Sequence, residues 1–210
     1  AQVKRTVNGS SVSADNINQI IDKITSQLYL QQTDNLVDIG CGNGALTSLL
    51  EKKVNSINGY DPSPFMIDIA NSDFSSDRLK FNLGSEKEAI CFVDKNNEMI
   101  NKILFYGSFS YLKFSDFLNI LSDLYRVLST NSRVFIGNIP NIEYRTEFFL
   151  KFTNPQVPPP RSHHSSIGVW YSPLELKSVA ESIGWRPHIT FMPPDFYSSN
   201  YRFDLTLIKE

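Results

Sequence analysis

Cysteine and histidine are both scarce in this chain of 210 residues, which has two cysteines and three histidines. The cysteines, Cys41 and Cys91, are too few for a disulfide framework, and Cys41 lies between two glycines, where a structural bridge would not fit. We therefore expect a reducing, cytoplasmic environment. His163 and His164 are adjacent and His188 lies apart, so the sequence has no metal-ligand spacing and predicts no metal site.

Long apolar runs and long basic runs are absent as well. No stretch approaches the ~20 consecutive apolar residues of a membrane-spanning helix, and residues 1–15 are polar, without the apolar core of a signal peptide. The formal net charge is −2, from interspersed charges of both signs, which does not favour nucleic acid or an anionic membrane as a partner. We therefore expect a soluble protein with a small-molecule substrate, no nucleic-acid partner and no membrane contact, whereas the oligomeric state stays open.

The segment 36–47, LVDIGCGNGALT, is the most informative part of the sequence. Leu36–Ile39 is short and mostly apolar, which predicts a buried parallel strand, and alternating glycines follow at Gly40, Gly42 and Gly44. An apolar run typical of a helix comes next. Glycines allow positive φ angles and a close approach of a ligand, and a helix N-terminus presents unpaired N–H groups and a positive dipole end. The pattern therefore predicts a ligand site at this turn.

Two kinds of ligand fit the turn. Residues 40–45, GCGNGA, satisfy the loose G-x-G-x-x-G/A pattern of dinucleotide-binding proteins. Asp38 lies two residues before the first glycine, where its carboxylate would repel a pyrophosphate but would hold a positively charged aminoacyl group. The acidic residue therefore favours an aminoacyl-bearing ligand.

The same turn resembles motif I of the class I S-adenosylmethionine-dependent methyltransferases, whose D-x-G-x-G-x-G pattern it matches from Asp38 to Gly44. The resemblance implies S-adenosyl-L-methionine as the cofactor. The residues that it implies at the cofactor are Asp38, Gly40, Cys41, Gly42, Asn43 and Gly44.

A second acidic residue ends the next strand. Ser56–Tyr60 has the pattern of a strand and leads into Asp61, and an acidic residue about 20 positions beyond the glycine turn can accept both ribose hydroxyls of a nicotinamide or an adenosyl ligand. The segment from Asp61 to Met66 resembles the methyltransferase pattern D-x-S-x-x-M before a helix. This resemblance implies that Pro62 and Met66 adjoin the cofactor, with Met66 against the adenine, although Met66 as ordinary helix core stays an alternative.

The third and fourth strands add further candidates. Arg78–Leu83 alternates in polarity and closes before Ser85, where the family commonly has an aspartate that hydrogen-bonds the adenine amino group; the resemblance implies a weaker contact from the Ser85 hydroxyl. Lys102–Tyr106 predicts a buried strand. In a doubly wound sheet the ligand crevice lies beyond the carboxyl ends of the first strand and this one, so we expect residues from Tyr106 to Tyr111 to line it.

The order of the elements predicts an α/β fold, with residues 1–210 as one methyltransferase domain. Residues 1–35 are expected to form a helix, begun at Ser13, that either covers the sheet edge or acts as a lid over the ligand. The resemblance spans Leu36–Glu210 and implies a doubly wound, seven-stranded, Rossmann-like sheet with a C-terminal antiparallel strand pair. The later elements that we expect are a helix over Phe114–Leu128, a strand over Arg133–Gly137, a helix opened by Ser172–Glu175, and strands over Arg186–Phe191 and Tyr201–Ile208.

The acceptor side is expected in residues 141–170, a long segment between the fifth strand and the next helix, where this fold inserts substrate-recognition elements. Candidate bases for an acceptor hydroxyl are Tyr111, His163 and His164. The chain lacks the Asp/Asn-Pro-Pro-Tyr turn of DNA amino-methyltransferases. Its C-terminal third, with the segments Gly168–Pro173 and Tyr201–Asp204, resembles methyltransferases from surface-polysaccharide gene clusters. The resemblance therefore implies O-methylation of a small, sugar-containing acceptor.

Two functions from other classes stay open. An NAD-dependent oxidoreductase would bind nicotinamide cofactors and have a wholly parallel sheet, which Asp38 and the C-terminal strand pair do not favour. A nucleoside-binding module without catalysis, which regulates a partner enzyme, would need no base. It would form a stable complex with another protein and methylate no acceptor.

Overall fold

The computed structural model describes residues 6–7, 10–152 and 167–210. Its main sheet has seven strands, β1 (Asn35–Ile39), β2 (Ser56–Asp61), β3 (Leu79–Leu83), β4 (Lys102–Tyr106), β5 (Arg133–Pro140), β6 (Arg186–Thr190) and β7 (Arg202–Ile208). Their order across the sheet is β3-β2-β1-β4-β5-β7-β6. Strands β1 to β5 pair in parallel, and β7 pairs antiparallel with both β5 and β6. The predicted doubly wound sheet with a C-terminal antiparallel pair is confirmed.

Helices cover both faces of this sheet. The α-helices in the described residues are α1 (Ala14–Leu28), α2 (Pro64–Phe74), α3 (Glu86–Lys95), α4 (Phe114–Val127), α5 (Arg145–Phe152) and α6 (Pro173–Ile183). Short 3₁₀ helices span Thr47–Lys53, Phe109–Tyr111 and Ile142–Tyr144, and Thr6–Val7 pairs with Ser10–Ser11 in a small separate ladder. Buried side chains of α1 and α2 join one core cluster, and those of α3, α4 and α6 join the other.

Helix α1 packs across a face of the sheet. Ser13 caps it as expected, since the Ser13 hydroxyl accepts a hydrogen bond from the Asn16 N–H at 3.2 Å. Its buried stripe includes Ile20, Ile24 and Leu28, and the helix contacts β5. Because β5 lies between β4 and β7, α1 covers an interior strand rather than the sheet edge.

Several local expectations need correction. The segment after the glycine turn forms the 3₁₀ helix Thr47–Lys53 instead of an α-helix, and the Ser48 hydroxyl donates to the Ala45 carbonyl at 3.1 Å, one of the local bonds that compete with α-helix formation. Helix α3 was not expected. The helical period of the apolar residues in 114–128 predicts Leu118 on the core side of α4, but this side chain is 37% exposed.

The tail forms the expected hairpin. Residues Arg186–Thr190 and Arg202–Ile208 pair directly, and β7 then inserts between β5 and β6. In the parts of the chain that the structure describes, no helix combines the length and the apolar character needed to cross a membrane.

Candidate functional site

The turn after β1 is built from glycines with positive φ angles, 78° at Gly40, 56° at Gly42 and 75° at Gly44. A Cβ atom at Gly40 would lie 2.2 Å from the Cβ of Ser108, and one at Gly44 would lie 2.6 Å from the Phe81 ring. A Cβ atom at Gly42 would meet no atom within 4 Å. Packing within the protein therefore requires two of the glycines, whereas Gly42 borders open space in which a ligand can approach the backbone.

Asp61 joins this turn to the start of α2. One carboxylate oxygen accepts a hydrogen bond from the Gly42 N–H at 2.9 Å, and the other accepts one from the Ser63 N–H at 3.0 Å. The N–H groups of Gly40 and Cys41 both donate to the Tyr60 carbonyl. Each carboxylate oxygen has more than one lone pair, so Asp61 keeps acceptor capacity for ribose hydroxyls while it holds the turn.

Asp38 lies below the turn, not at its rim. The residue is 3% exposed, and its carboxylate accepts a hydrogen bond from the Thr47 hydroxyl at 2.7 Å. The structure therefore places this side chain between β1 and the following 3₁₀ helix. Its expected contact with an aminoacyl group stays a prediction.

The other residues of the turn divide between backbone and packing roles. The Cys41 thiol packs towards Gly59, where a Cβ atom would lie 2.9 Å from the sulfur, and burial raises the pKa of this thiol far above its usual range. The side-chain oxygen of Asn43 accepts a bond from the Ala45 N–H at 3.4 Å. Cys41 therefore contributes its backbone to the turn, because its side chain belongs to the core.

The start of α2 follows the expected pattern. The Ser63 hydroxyl accepts from the Met66 N–H at 3.4 Å and caps the helix, and Pro64 occupies its first turn. Met66 is half-buried, whereas Pro62 is exposed and Phe65 is 64% exposed. These side chains lie next to Asp61, at the place where the resemblance implies the adenosyl group.

Ser85 is the N-cap of α3. Its hydroxyl donates to a Glu88 carboxylate oxygen at 2.6 Å, and its N–H donates to the same oxygen at 2.8 Å. The bonds from Ser85 hold the pKa of the Glu88 carboxyl below its usual range. Ser85 and Glu88 thus form a capping box that the sequence analysis did not identify, and any adenine contact of Ser85 would compete with it.

The turn after β4 closes the other side of the crevice. The Ser108 hydroxyl donates to the Ile39 carbonyl at 2.8 Å, so this turn is tied to the end of β1. Tyr106 is buried with its ring against Gly137, where a Cβ atom would lie 2.5 Å from the ring. Tyr111 is 62% exposed at the end of the short helix Phe109–Tyr111. The structure thus places Tyr106 in the core and only Tyr111 at the surface.

Both described ends of the 141–170 segment lie beside this turn. The Val169 N–H donates to the Ser110 carbonyl at 2.7 Å, and the Ile142 N–H donates to the Tyr171 carbonyl at 2.9 Å. The candidate bases His163 and His164 lie outside the described residues. The segment therefore begins and ends at the carboxyl edge of β4 and β5.

One feature of this edge was missed by the sequence analysis. Asn138, near the end of β5, has a φ angle of 68°, and the β5–β7 register shifts between Ile136 and Ile139. Side chains of Arg202 and Asp204 bond the Asn138 backbone. The only sequence signal is an asparagine inside an apolar strand, because asparagine tolerates the left-handed region better than other residues with a side chain.

The comparison with known families decides between the ligand classes. Residues 36–131, which include the glycine turn and Asp61, match the family model described as methyltransferase domain. This match assigns residues 36–131 of the chain to the methyltransferase domain family. The cofactor of the chain is S-adenosyl-L-methionine.

One curated relative matches over part of its length. Ribosomal RNA small subunit methyltransferase A of Prochlorococcus marinus (strain MIT 9515) is 33% identical over 88 residues, which are 41% of this chain and 32% of that protein. The match therefore spans about a third of that relative's length.

Solved methyltransferases share the fold. A methyltransferase from Archaeoglobus fulgidus has a TM-score of 0.67 at 14% identity, with 92% of this chain and 94% of that chain covered. Geranyl diphosphate C-methyltransferase from Streptomyces coelicolor A3(2), solved with S-adenosyl-L-homocysteine, has a TM-score of 0.65 at 15% identity, with 92% and 77% covered.

The site of this methyltransferase fits the cofactor. Gly42 borders open space, and Asp61 keeps acceptor capacity next to it. Gly42, Asp61 and Met66 are the residues that would hold the adenosyl part. The cofactor, when bound, supplies a methyl group on a sulfonium, which is already activated for transfer.

Proposed function

We propose that this methyltransferase acts on a hydroxyl oxygen of a small, sugar-containing acceptor. The observation that carries the proposal is the docking of both described ends of the 141–170 segment next to the turn after β4. The Val169 N–H donates to the Ser110 carbonyl of that turn, and Ile142 is joined to Tyr171, whose ring lies 5.7 Å from the Phe109 ring of the same turn. An element held at that edge is placed to cover an acceptor on the open side of the cofactor site.

Aromatic side chains support a sugar or ring-bearing acceptor. Phe148 of α5 packs against Trp170 and Tyr201, with ring centroids 5.4 Å and 4.7 Å apart. Tyr144 is 41% exposed and Tyr111 is 62% exposed at the same edge. Exposed aromatic faces suit stacking on the apolar face of a sugar or on an aromatic ring.

The protein mainly has to align the acceptor and help remove its proton. Alignment of two reactants within one site is itself a large part of a rate enhancement, and a positioned base adds typically 10²–10⁴-fold. We assign the base role to Tyr111, with His163 and His164 as the further candidates. In the transfer, the acceptor oxygen gains the methyl group and loses its proton, and S-adenosyl-L-homocysteine is left.

A nucleic-acid acceptor is the second candidate, because the curated relative is a ribosomal RNA methyltransferase by name. The formal net charge of −2 and the interspersed charges disfavour a polyanionic substrate. The cytoplasmic location and the absence of a nucleic-acid partner stay predictions.

The test is a transfer assay with S-adenosyl-L-methionine labelled in its methyl group. The acceptor panel holds free sugars, sugar phosphates, nucleotide sugars, ribosomal RNA and protein. We expect label in a carbohydrate-containing small molecule, as an alkali-stable methyl ether. Label in RNA alone, or on nitrogen or carbon, would contradict the proposal, and no label with any acceptor would favour the non-catalytic module.

The base is tested with Tyr111→Phe, and Tyr29→Phe is the matched control because both side chains are 62% exposed. Tyr29 ends α1 and stacks under the Arg133 guanidinium, away from the carboxyl edge. We expect Tyr111→Phe to lower kcat about 10²-fold with unchanged cofactor affinity. If Tyr111→Phe is as active as Tyr29→Phe, Tyr111 is not the base, and His163 and His164 are the candidates left to test.

A further inference from the structure

The carboxyl end of β5 carries a bulge at Asn138. The pairing register with β7 shifts between Ile136 and Ile139, and Asn138 adopts a φ angle of 68°. A residue with a side chain is uncommon in the left-handed region, and it persists only where the surrounding structure imposes it. Bulges are frequent next to active sites, where they redirect a side chain. Two points therefore need an explanation: which contacts impose this backbone conformation, and what the redirected Asn138 side chain binds.

The cause is a clamp formed by two side chains of β7. A carboxylate oxygen of Asp204 accepts a hydrogen bond from the Asn138 N–H at 2.8 Å, and the Arg202 guanidinium donates to the Asn138 carbonyl at 2.6 Å. Asp204 is 1% exposed. Both backbone polar groups of Asn138 are therefore held by side chains, which fixes its backbone and with it the direction in which its Cα–Cβ bond leaves the strand.

The Asn138 carboxamide is left without a partner in the described part of the chain, where none of its side-chain atoms makes a hydrogen bond. The residue is half-buried. A primary amide offers two donors and one acceptor oxygen, and it carries no charge. Such a group suits a ligand hydroxyl, to which it can both donate and accept.

The bulge lies at the acceptor side of the crevice. Gly137 pairs with Tyr106, and the Gly107 N–H donates to the Gly137 carbonyl at 3.1 Å. Asn138 is the next residue, so it is about one strand spacing, ~5 Å, from the turn that Ser108 ties to β1. It also precedes Pro140, whose carbonyl accepts from the Tyr171 N–H.

We propose that the Asn138 carboxamide binds the acceptor, and that its oxygen accepts a hydrogen bond from the acceptor hydroxyl and aligns that oxygen with the methyl group. Arg202 and Asp204 are the positioning residues that hold it. The inference rests on the proposed O-methylation of a small acceptor. An amide takes no proton, so the proton of the hydroxyl leaves to another group or to water.

The decisive experiment compares Asn138→Gly with Asn138→Asp, using the acceptor identified by the label-transfer panel. Both replacements tolerate a left-handed backbone, but only aspartate keeps an oxygen at the position of the carboxamide. If Asn138 binds the acceptor, Asn138→Gly lowers kcat/KM at least 30-fold, whereas Asn138→Asp stays within tenfold of the wild type. If Asn138 merely fits the bulge, Asn138→Gly keeps full activity, and the inference is overturned.

Two controls separate folding from binding. The thermal midpoint of Asn138→Gly is expected to equal or exceed that of the wild type, because glycine relieves the left-handed strain. S-adenosyl-L-homocysteine affinity, measured by calorimetry, should be within twofold for both variants. If Asn138→Gly loses affinity for S-adenosyl-L-homocysteine, the residue takes part in cofactor binding, and the inference is overturned.

The positioning role of Arg202 is tested by a double-mutant cycle. Arg202→Met should lower kcat/KM in the wild-type background, and it should have little further effect in Asn138→Gly, because the side chain that it positions is already gone. Additive losses would assign Arg202 an independent, structural role. A panel without any small-molecule acceptor would refute the proposed function, whereas an acceptor turned over equally by Asn138→Gly would refute this inference alone.

Discussion

At the scale of single residues, Gly42 differs from the other two glycines of its turn. All three have positive φ angles, but only Gly42 has open space where a Cβ atom would be. Its N–H is held by Asp61, so its backbone is fixed while its surface is free. A side chain at position 42 would contact no protein atom and would extend into the open space beside the turn, where a ligand can bind.

We therefore expect Gly42→Ala to weaken S-adenosyl-L-homocysteine binding at least tenfold, measured by calorimetry. The cost in folding free energy should be only the ~1–2 kcal/mol of a left-handed alanine. Gly40→Ala is the contrasting variant, because its Cβ would lie 2.2 Å from that of Ser108 and should prevent normal folding. Unchanged affinity in Gly42→Ala would mean that the ligand lies elsewhere.

Ser85 allows a second test at this scale, because its hydroxyl is engaged in the capping box with Glu88. We expect Ser85→Ala to lower the unfolding free energy by about 1 kcal/mol and to leave cofactor affinity within twofold. Ser172→Ala, which removes the cap of α6, should cost about the same. A tenfold loss of affinity in Ser85→Ala alone would support the adenine contact instead.

At the scale of elements, α1 and β7 meet through a charge pair between the half-buried Lys23 and the buried Asp204. The Lys23 ammonium lies 3.9 Å from the Asp204 carboxylate, and it donates to the Phe191 carbonyl at 2.9 Å. Burial raises the pKa of Asp204 to about 6, although the Asn138 N–H, Lys23 and Arg202 all oppose the shift. Burial likewise lowers the pKa of Lys23. The clamp on the β5 bulge is therefore coupled to the interface with α1.

This pair predicts the pH dependence of stability. Because the folded-state pKa of Asp204 is above its usual value of 3.8, the folded protein binds its proton more tightly, and the free energy of unfolding rises as the pH falls from above 6 towards 4. The gain is roughly 3 kcal/mol at 1.36 kcal/mol per pKa unit. Urea unfolding at several pH values should show this gain in the wild type relative to Asp204→Asn. Parallel curves for the two proteins would contradict it.

At the scale of the whole molecule, the sheet order brings the glycine turn after β1 close to the carboxyl ends of β4 and β5. These strands are neighbours in the centre of the sheet, and the antiparallel β7 lies on the far side of β5. The crevice at the carboxyl ends of β1 and β4 thus has the glycine turn on one side and the turn after β4 on the other. In the proposed function, the glycine turn binds the cofactor, and the described ends of residues 141–170 form the acceptor side.

A ligand that binds only the folded state, at 100 times its Kd, adds about 2.7 kcal/mol to the free energy of unfolding. It therefore raises the thermal midpoint. We expect S-adenosyl-L-homocysteine to raise the midpoint by several degrees and NAD to leave it unchanged. In Asp61→Ala the shift should shrink, because a charged acceptor of ribose hydroxyls is lost. Stabilisation by NAD alone would contradict the cofactor assignment.

The strands, the glycine turn and the helix caps at Ser13 and Ser172 were predictable because they depend on residues close together in the chain. The 3₁₀ helix after the turn and the exposure of Leu118 were not, since local bonding and distant packing decide them. Asp38 shows the limit most clearly. Its spacing from the glycines is a property of the sequence, but only the position of Thr47 in the fold directs its carboxylate inwards.

The sequence by itself determined the seven strands, the glycine turn and the acidic residue Asp61 after β2, because each depends on a short run of neighbouring residues. Only the tertiary structure decided the bulge at Asn138. Its clamp joins residues 64 and 66 positions apart in sequence, and it exists because β7 folds back between β5 and β6. A backbone conformation imposed by such distant partners leaves almost no local signal, so the bulge could be found only in the fold.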